Sequence, residues 1–100
     1  MKLYISGKIT GIPYDEAFLK FEKAQHKIIS EILEIEIIIN PMKLHPRLPL
    51  RKWEYYMSVD IAELLTCDSV YMLNCWGQSK GSRIEYAIAK ELGFKMFFED

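Results

Sequence analysis

The sequence predicts an α/β domain of three layers, α/β/α, with a four-stranded parallel sheet in the flavodoxin- or Rossmann-like order 2-1-3-4. Three observations lead there. Short apolar runs of strand character alternate with stretches of helical periodicity along the chain, and such alternation implies right-handed βαβ crossovers and a parallel sheet. The length of 100 residues is typical of one domain. Half of the residues are hydrophobic and 27% are charged, a balance that favours a globular chain with a buried core over disorder. No linker, low-complexity segment or internal repeat interrupts residues 1–100, so one domain is expected.

Lys2 to Ser6 reads as a first strand, ended by Gly7 and Gly11. Tyr14, Phe18, Phe21, Ile28, Ile29 and Ile32 keep helical spacing and predict a helix over Tyr14 to Leu33. Ile35 to Ile39 is β-branched and apolar, a second strand stopped by Asn40-Pro41. A loop rich in proline follows, with Pro41, Pro46 and Pro49. Trp53, Met57, Ile61 and Leu64 predict the inner stripe of a helix from about Arg51 to Leu65. Ser69 to Leu73 is a third strand, Ser82 to Leu92 a third helix and Phe94 to Phe98 a fourth strand.

Composition narrows the function classes. A net charge of −1 gives no electrostatic case for a nucleic-acid or anionic-membrane partner. No apolar stretch approaches the length of a membrane span, and the start of the chain lacks the pattern of a signal peptide, so a cytoplasmic location is expected. Cys67 and Cys75 lack C-x-x-C or Cys/His ligand spacing; free thiols, no metal and no cofactor are expected.

In parallel sheets ligands bind outside the carboxyl ends of the strands, where the strand order reverses. In the order 2-1-3-4 that point lies between the first and third strands, so the loops Ser6 to Gly11 and Asn74 to Gly81 are where function is sought. Two carboxylates face the same place. Asp60 is +7 from Trp53, +3 from Met57 and −4 from Leu64, on the apolar stripe of its helix. Glu85 is −3 from Ile88 and −7 from Leu92, again beside an inner stripe. Two acids on one sheet edge suit a nucleophile and an acid. A carboxylate in the first helical turn is also expected to stay ionised.

Each of these residues has a plainer reading. Ser82-Arg83-Ile84-Glu85 has the S-x-x-E form of a capping box, in which Glu85 would bond the Ser82 backbone. Asp60 could pair with Arg51, Lys52 or Arg83. Asp68 suits a turn, Trp53 the core, and Trp76 either the core or a stacking platform. His26 and His45 lack partner spacing and read as structural, and Glu31, Glu34 and Glu36 as a solvated face.

The start Tyr4-Ile5-Ser6-Gly7-Lys8-Ile9-Thr10-Gly11, with Asp60 and the run Ser79-x-Gly81-x-x-x-Glu85, resembles the nucleoside 2-deoxyribosyltransferase superfamily. Within it, the likeness is closer to the 2′-deoxynucleoside 5′-monophosphate N-hydrolases and to small bacterial and phage proteins. The resemblance spans most of the chain. It implies that Glu85 is the nucleophile at C1′ of the deoxyribose, Asp60 the acid at the leaving base, and Tyr4 the hydroxyl that positions the nucleophile. Ser6, Gly7, Lys8 and Ile9 of the first loop, and Trp76, Ser79, Gly81 and Ser82 of the second loop and the helix start, are expected to bind substrate. Ser79 stands where the transferases carry an acid and the monophosphate hydrolases a phosphate-binding serine. The hydrolases carry a serine and an arginine in the first loop, whereas this chain has Lys8 and Thr10. Family members usually continue with a fifth strand and a tail that completes a neighbouring site; here that contribution is missing or comes from elsewhere, such as Lys80, Arg83 or the Arg47 to Lys52 loop.

The expectation is an enzyme that cleaves or exchanges the N-glycosidic bond of a 2′-deoxynucleoside or its 5′-monophosphate, acting as a homodimer or higher oligomer. The first alternative is a nucleotide-binding module that keeps the pocket without turnover, and the second is a structural or partner-binding protein with no small ligand.

Overall fold

The structure, a computed structural model, describes residues 1–100. Its elements are β1 (Lys2–Ser6), α1 (Tyr14–Glu31), β2 (Ile37–Ile39), α2 (Trp53–Leu64), β3 (Ser69–Met72), α3 (Lys80–Glu91) and β4 (Lys95–Phe98). Short 3-10 turns lie at Pro41–Lys43 and Trp76–Gln78. All pairings are parallel and the strand order is β2-β1-β3-β4. Fold class and topology agree with the reading of the sequence.

Alternation along β1 and β3 splits the core between two faces. Leu3, Ile5, Tyr71 and Leu73 pack with Ala17, Phe21, Ala24 and Ile28 of α1. Tyr4, Val70 and Met72 pack on the other face with Leu64 and Ala89, under α2 and α3. Burying a side chain such as Phe21 or Ile28 contributes about 1.5–3 kcal/mol. The small residues Ala17 and Ala24 let α1 lie close to the sheet, and Ile29, one residue round from that stripe, is 60% exposed rather than inward.

Most boundaries shift by one or two residues from expectation, and at two of them the local reason is visible. Residues 35 and 36 do not join β2, because the Glu36 and Ile37 N–H groups converge on the Met1 carbonyl and the ladder starts only at Ile37. Helix α3 starts at Lys80, earlier than Ser82, because Ser79 is extended (φ −115°, ψ 119°) and its Oγ accepts the Ser82 N–H at 3.1 Å. The Asp68 carboxylate accepts the Lys2 N–H at 3.1 Å, tying the start of β1 to that of β3. No helix is long and apolar enough to cross a membrane.

Candidate active site

The site grows from the pleat of β1. Tyr4 and Ser6, two residues apart, point to the same face, and there they meet Glu85 from α3. The Tyr4 hydroxyl donates to one Glu85 oxygen at 2.7 Å and the Ser6 hydroxyl to the other at 2.7 Å. Ser6 has a single proton, so the Ser82 hydroxyl, 3.0 Å away, donates to Ser6 Oγ. Both carboxylate oxygens are therefore held by hydroxyls on a central strand. The capping-box reading of Ser82 and Glu85 is overturned: Ser79 caps the helix, and Glu85 lies beyond its first turn, turned inward.

That displacement changes the electrostatics. Burial pushes the Glu85 carboxyl up to about 7, outweighing the Tyr4 and Ser6 hydrogen bonds, and the nearby Asp60 charge adds to the rise. The ionisation expected from a place in the first helical turn is corrected accordingly. Burial, then the Glu85 charge, raises the Tyr4 hydroxyl well above its ordinary value, so Tyr4 stays a donor.

Asp60 is buried between Met57 and Leu64 on α2, as its spacing predicts. Its partner is not Arg51, Lys52 or Arg83. His45 Nε2, from the proline-rich loop, lies 2.8 Å from Asp60 Oδ1. The imidazole is braced edge-on against Tyr56, with ring centroids 4.9 Å apart. Burial raises the Asp60 carboxyl and the His45 contact offsets part of that rise. The Arg83 guanidinium instead donates to the Gly77 carbonyl at 3.0 Å.

Tyr4, Asp60 and Glu85 line one cavity of about 220 Å³ at the carboxyl end of β1, walled by α2, the start of α3 and the proline-rich loop. Gly7 and Ile9 enter it from the first loop, and Ser79, Gly81 and Ser82 from the start of α3. A Cβ on Gly7 would sit 2.5 Å from Leu73 Cδ1, so glycine is what lets the loop pass that close. Lys8 faces an adjoining recess shared with Ser79, Lys80 and Gly81. The Lys80 and Gly81 N–H groups are left open there, while the Ser82 N–H is taken by Ser79. Ser6 stands behind Glu85, outside the cavity wall.

Trp76 does not reach the cavity; it stacks on Tyr86 at 4.6 Å and so serves neither as a platform there nor as deep core. Trp53, expected in the core, lines the cavity wall with Lys80 Nζ 4.8 Å from its ring centroid. Arg47 also lines the cavity, its guanidinium 4.6 Å from the Tyr14 ring centroid. His45 is the residue that sequence reasoning missed. Its only signal was a histidine in a rigid loop opposite an inward acid. His26 is exposed and pairs with Glu22 at 3.1 Å. Both cysteines are free thiols, and no cluster of His, Cys, Asp or Glu has the arrangement of a metal site.

The model of one family, described as a domain of unknown function (DUF4406), matches residues 1–98. The chain belongs to that family. No curated protein and no solved structure matches it. Two buried acids, one clamped by hydroxyls and one by an imidazole, can act on a substrate as nucleophile and proton donor without a metal.

Proposed function

We propose that the protein cleaves or exchanges the N-glycosidic bond of a 2′-deoxynucleoside or its 5′-monophosphate through a covalent glycosyl–Glu85 intermediate. The observation that carries this reading is the convergence of Glu85 and Asp60, from different helices, on one cavity with both acids held by hydrogen bonds. As the bond from C1′ to the base stretches, the sugar becomes oxocarbenium-like, and an ionised Glu85 stabilises that charge. A Glu85 oxygen then bonds to C1′ while the departing base takes the C1′–N electron pair and a proton from Asp60. In the second step Asp60 takes a proton from water, the oxygen of that water bonds to C1′, and the Glu85–C1′ bond breaks. A second base in place of water gives exchange.

Burial raises the Asp60 carboxyl and so favours the protonated form a donor needs, and His45, which lines the same cavity, fixes its direction. Tyr4 and Ser6 hold Glu85 in place and favour its charged form. Ser79, the open N–H groups of Lys80 and Gly81, and the Lys8 ammonium form a polar end suited to a 5′-phosphate.

One observation favours a non-catalytic nucleotide-binding module on the same fold. Both Glu85 oxygens already accept hydrogen bonds, and a carboxyl at about 7 is half protonated at neutral pH. The deciding experiment measures free base released from deoxynucleosides and their 5′-monophosphates, beside Glu85→Ala. Release that vanishes in the variant supports the glycosidase. No release from any substrate, with thermal protection of the folded protein by the same nucleotides, supports the binding module.

A further inference from the structure

We propose that two copies of this chain join through β4, antiparallel about a two-fold axis at Phe97, into one continuous eight-stranded sheet. The argument starts from hydrogen-bond parity. The Lys95 N–H bonds the Asp68 carbonyl at 3.2 Å and the Glu99 N–H bonds the Met72 carbonyl at 2.8 Å. Residues 95, 97 and 99 therefore turn their backbone groups to β3, and Met96 and Phe98 turn theirs to the open edge. An open row of this kind is a template for pairing with another strand.

A second copy of β4 can pair there only in registers that set edge-facing residues opposite one another. One of these sets Met96 opposite Phe98 of the second copy, Phe97 opposite its own equivalent, and Lys95 opposite Glu99 of the second copy. By two-fold symmetry each unlike pair occurs twice. That register is the one that matches charge, since opposite charges directly across an antiparallel pair attract. Neither Lys95 nor Glu99 has an ion-pair partner within its own chain. Lys95 instead rests over the Phe97 ring, 5.4 Å from its centroid, and Glu99 accepts only the Asn74 N–H at 2.9 Å.

The apolar surface beside the edge fits the same pairing. Phe98 is 51% exposed although it flanks the Trp76–Tyr86 stack, at 6.4 and 6.5 Å between ring centroids. Met96 of the second copy would cover it. The opposite edge offers no such match: β2 is only Ile37–Ile39, and Glu36 beside it is bonded to the N-terminal ammonium at 2.6 Å. The pairing leaves the cavity between α2, α3 and β1 free, and it stands whether or not the glycosidase reading does.

The test is sedimentation equilibrium of the full chain across concentrations up to about 1 mM, with Lys95→Glu, Glu99→Lys and the double exchange. Circular dichroism checks that each variant is folded. The expected result is a wild-type dimer, about tenfold weaker association in each single variant, where like charges face each other, and recovery in the double exchange. A wild-type monomer throughout the range overturns the proposal. So does a dimer whose strength ignores both charges, or single variants that the double exchange does not rescue. Met96→Lys supplies a second check away from the charges: it places a cation opposite Phe98 and is expected to abolish the dimer, and an unchanged dimer would also overturn the register.

Discussion

Tyr4 and Glu85 lie 81 positions apart in the chain and share a buried hydrogen bond of 2.7 Å. The bond joins the middle of the sheet to the inner face of α3. It links the packing of the domain to the charge of the residue on which the proposed chemistry depends.

Removing that hydroxyl isolates its contribution. In Tyr4→Phe the ring still fills its place, but Glu85 loses a donor that favours its ionised form. The Glu85 carboxyl should rise further, and base release at neutral pH should fall by about tenfold, the equivalent of about 1.4 kcal/mol. An NMR titration of the Glu85 carboxyl carbon beside the pH–rate profile checks both. An unmoved titration would mean that Tyr4 does not tune Glu85.

Glu85 itself should make stability depend on pH. Its carboxyl ordinarily titrates at 4.5 and in the folded protein at about 7. Below that window both folded and unfolded chains hold the proton. Within it only the folded chain does, so stability falls as pH rises from 4.5 to about 7 and stays low above it. Glu85→Gln keeps an acceptor for Tyr4 and removes the titration. It should therefore be more stable than wild type at about pH 8, by about 3 kcal/mol, and equal to it at acid pH. Urea unfolding at several pH values measures the difference, and a glutamine variant that is less stable throughout would contradict it.

His45→Ala should act mainly through Asp60. Without the imidazole, burial alone governs that carboxyl and raises it further. The loss should be about 1–3 kcal/mol at alkaline pH, where Asp60 must carry charge unpaired, and smaller in acid, where it is neutral. Thermal unfolding at both extremes reads it. A loss independent of pH would assign His45 to packing against Tyr56 alone.

Gly7 and Gly81 should respond differently to alanine. At Gly7 the new methyl meets Leu73, a fully buried side chain, at 2.5 Å, and should cost about 1–3 kcal/mol or more. At Gly81 it meets Met57 Sδ at 3.0 Å, and a thioether can move. Helix propensity there favours alanine by up to about 1 kcal/mol. Gly81→Ala should therefore keep its melting temperature within a few degrees while narrowing the cavity and weakening nucleotide binding. Differential scanning calorimetry separates the two; equal losses would refute the distinction.

What the sequence made legible followed from periodicity. The strands and helices, the inward Asp60 and the inward Glu85 were readable because a period of two or 3.6 carries its own geometry, whereas the order 2-1-3-4 came with the fold class. The partners of those acids were less so. His45 reaches Asp60 from an irregular loop, where spacing says nothing about direction. Ser79 took the cap from Ser82 because either serine fits the residue preference, and only the extended backbone at Ser79 decides between them. Trp76 suited a platform by its place in the loop, but the 3-10 turn at Trp76–Gln78 sends the indole toward Tyr86.

The central place of β1 has a consequence for how the site can be lost. Tyr4 is paired with Ile39 on one side and Val70 on the other. Its amide should exchange with solvent only when the whole domain opens, at the slowest rate in the molecule. Fraying at the outer strands leaves the two hydroxyls in place. A destabilised variant should consequently be a mixture of fully competent and unfolded molecules, with activity tracking the folded population rather than declining molecule by molecule.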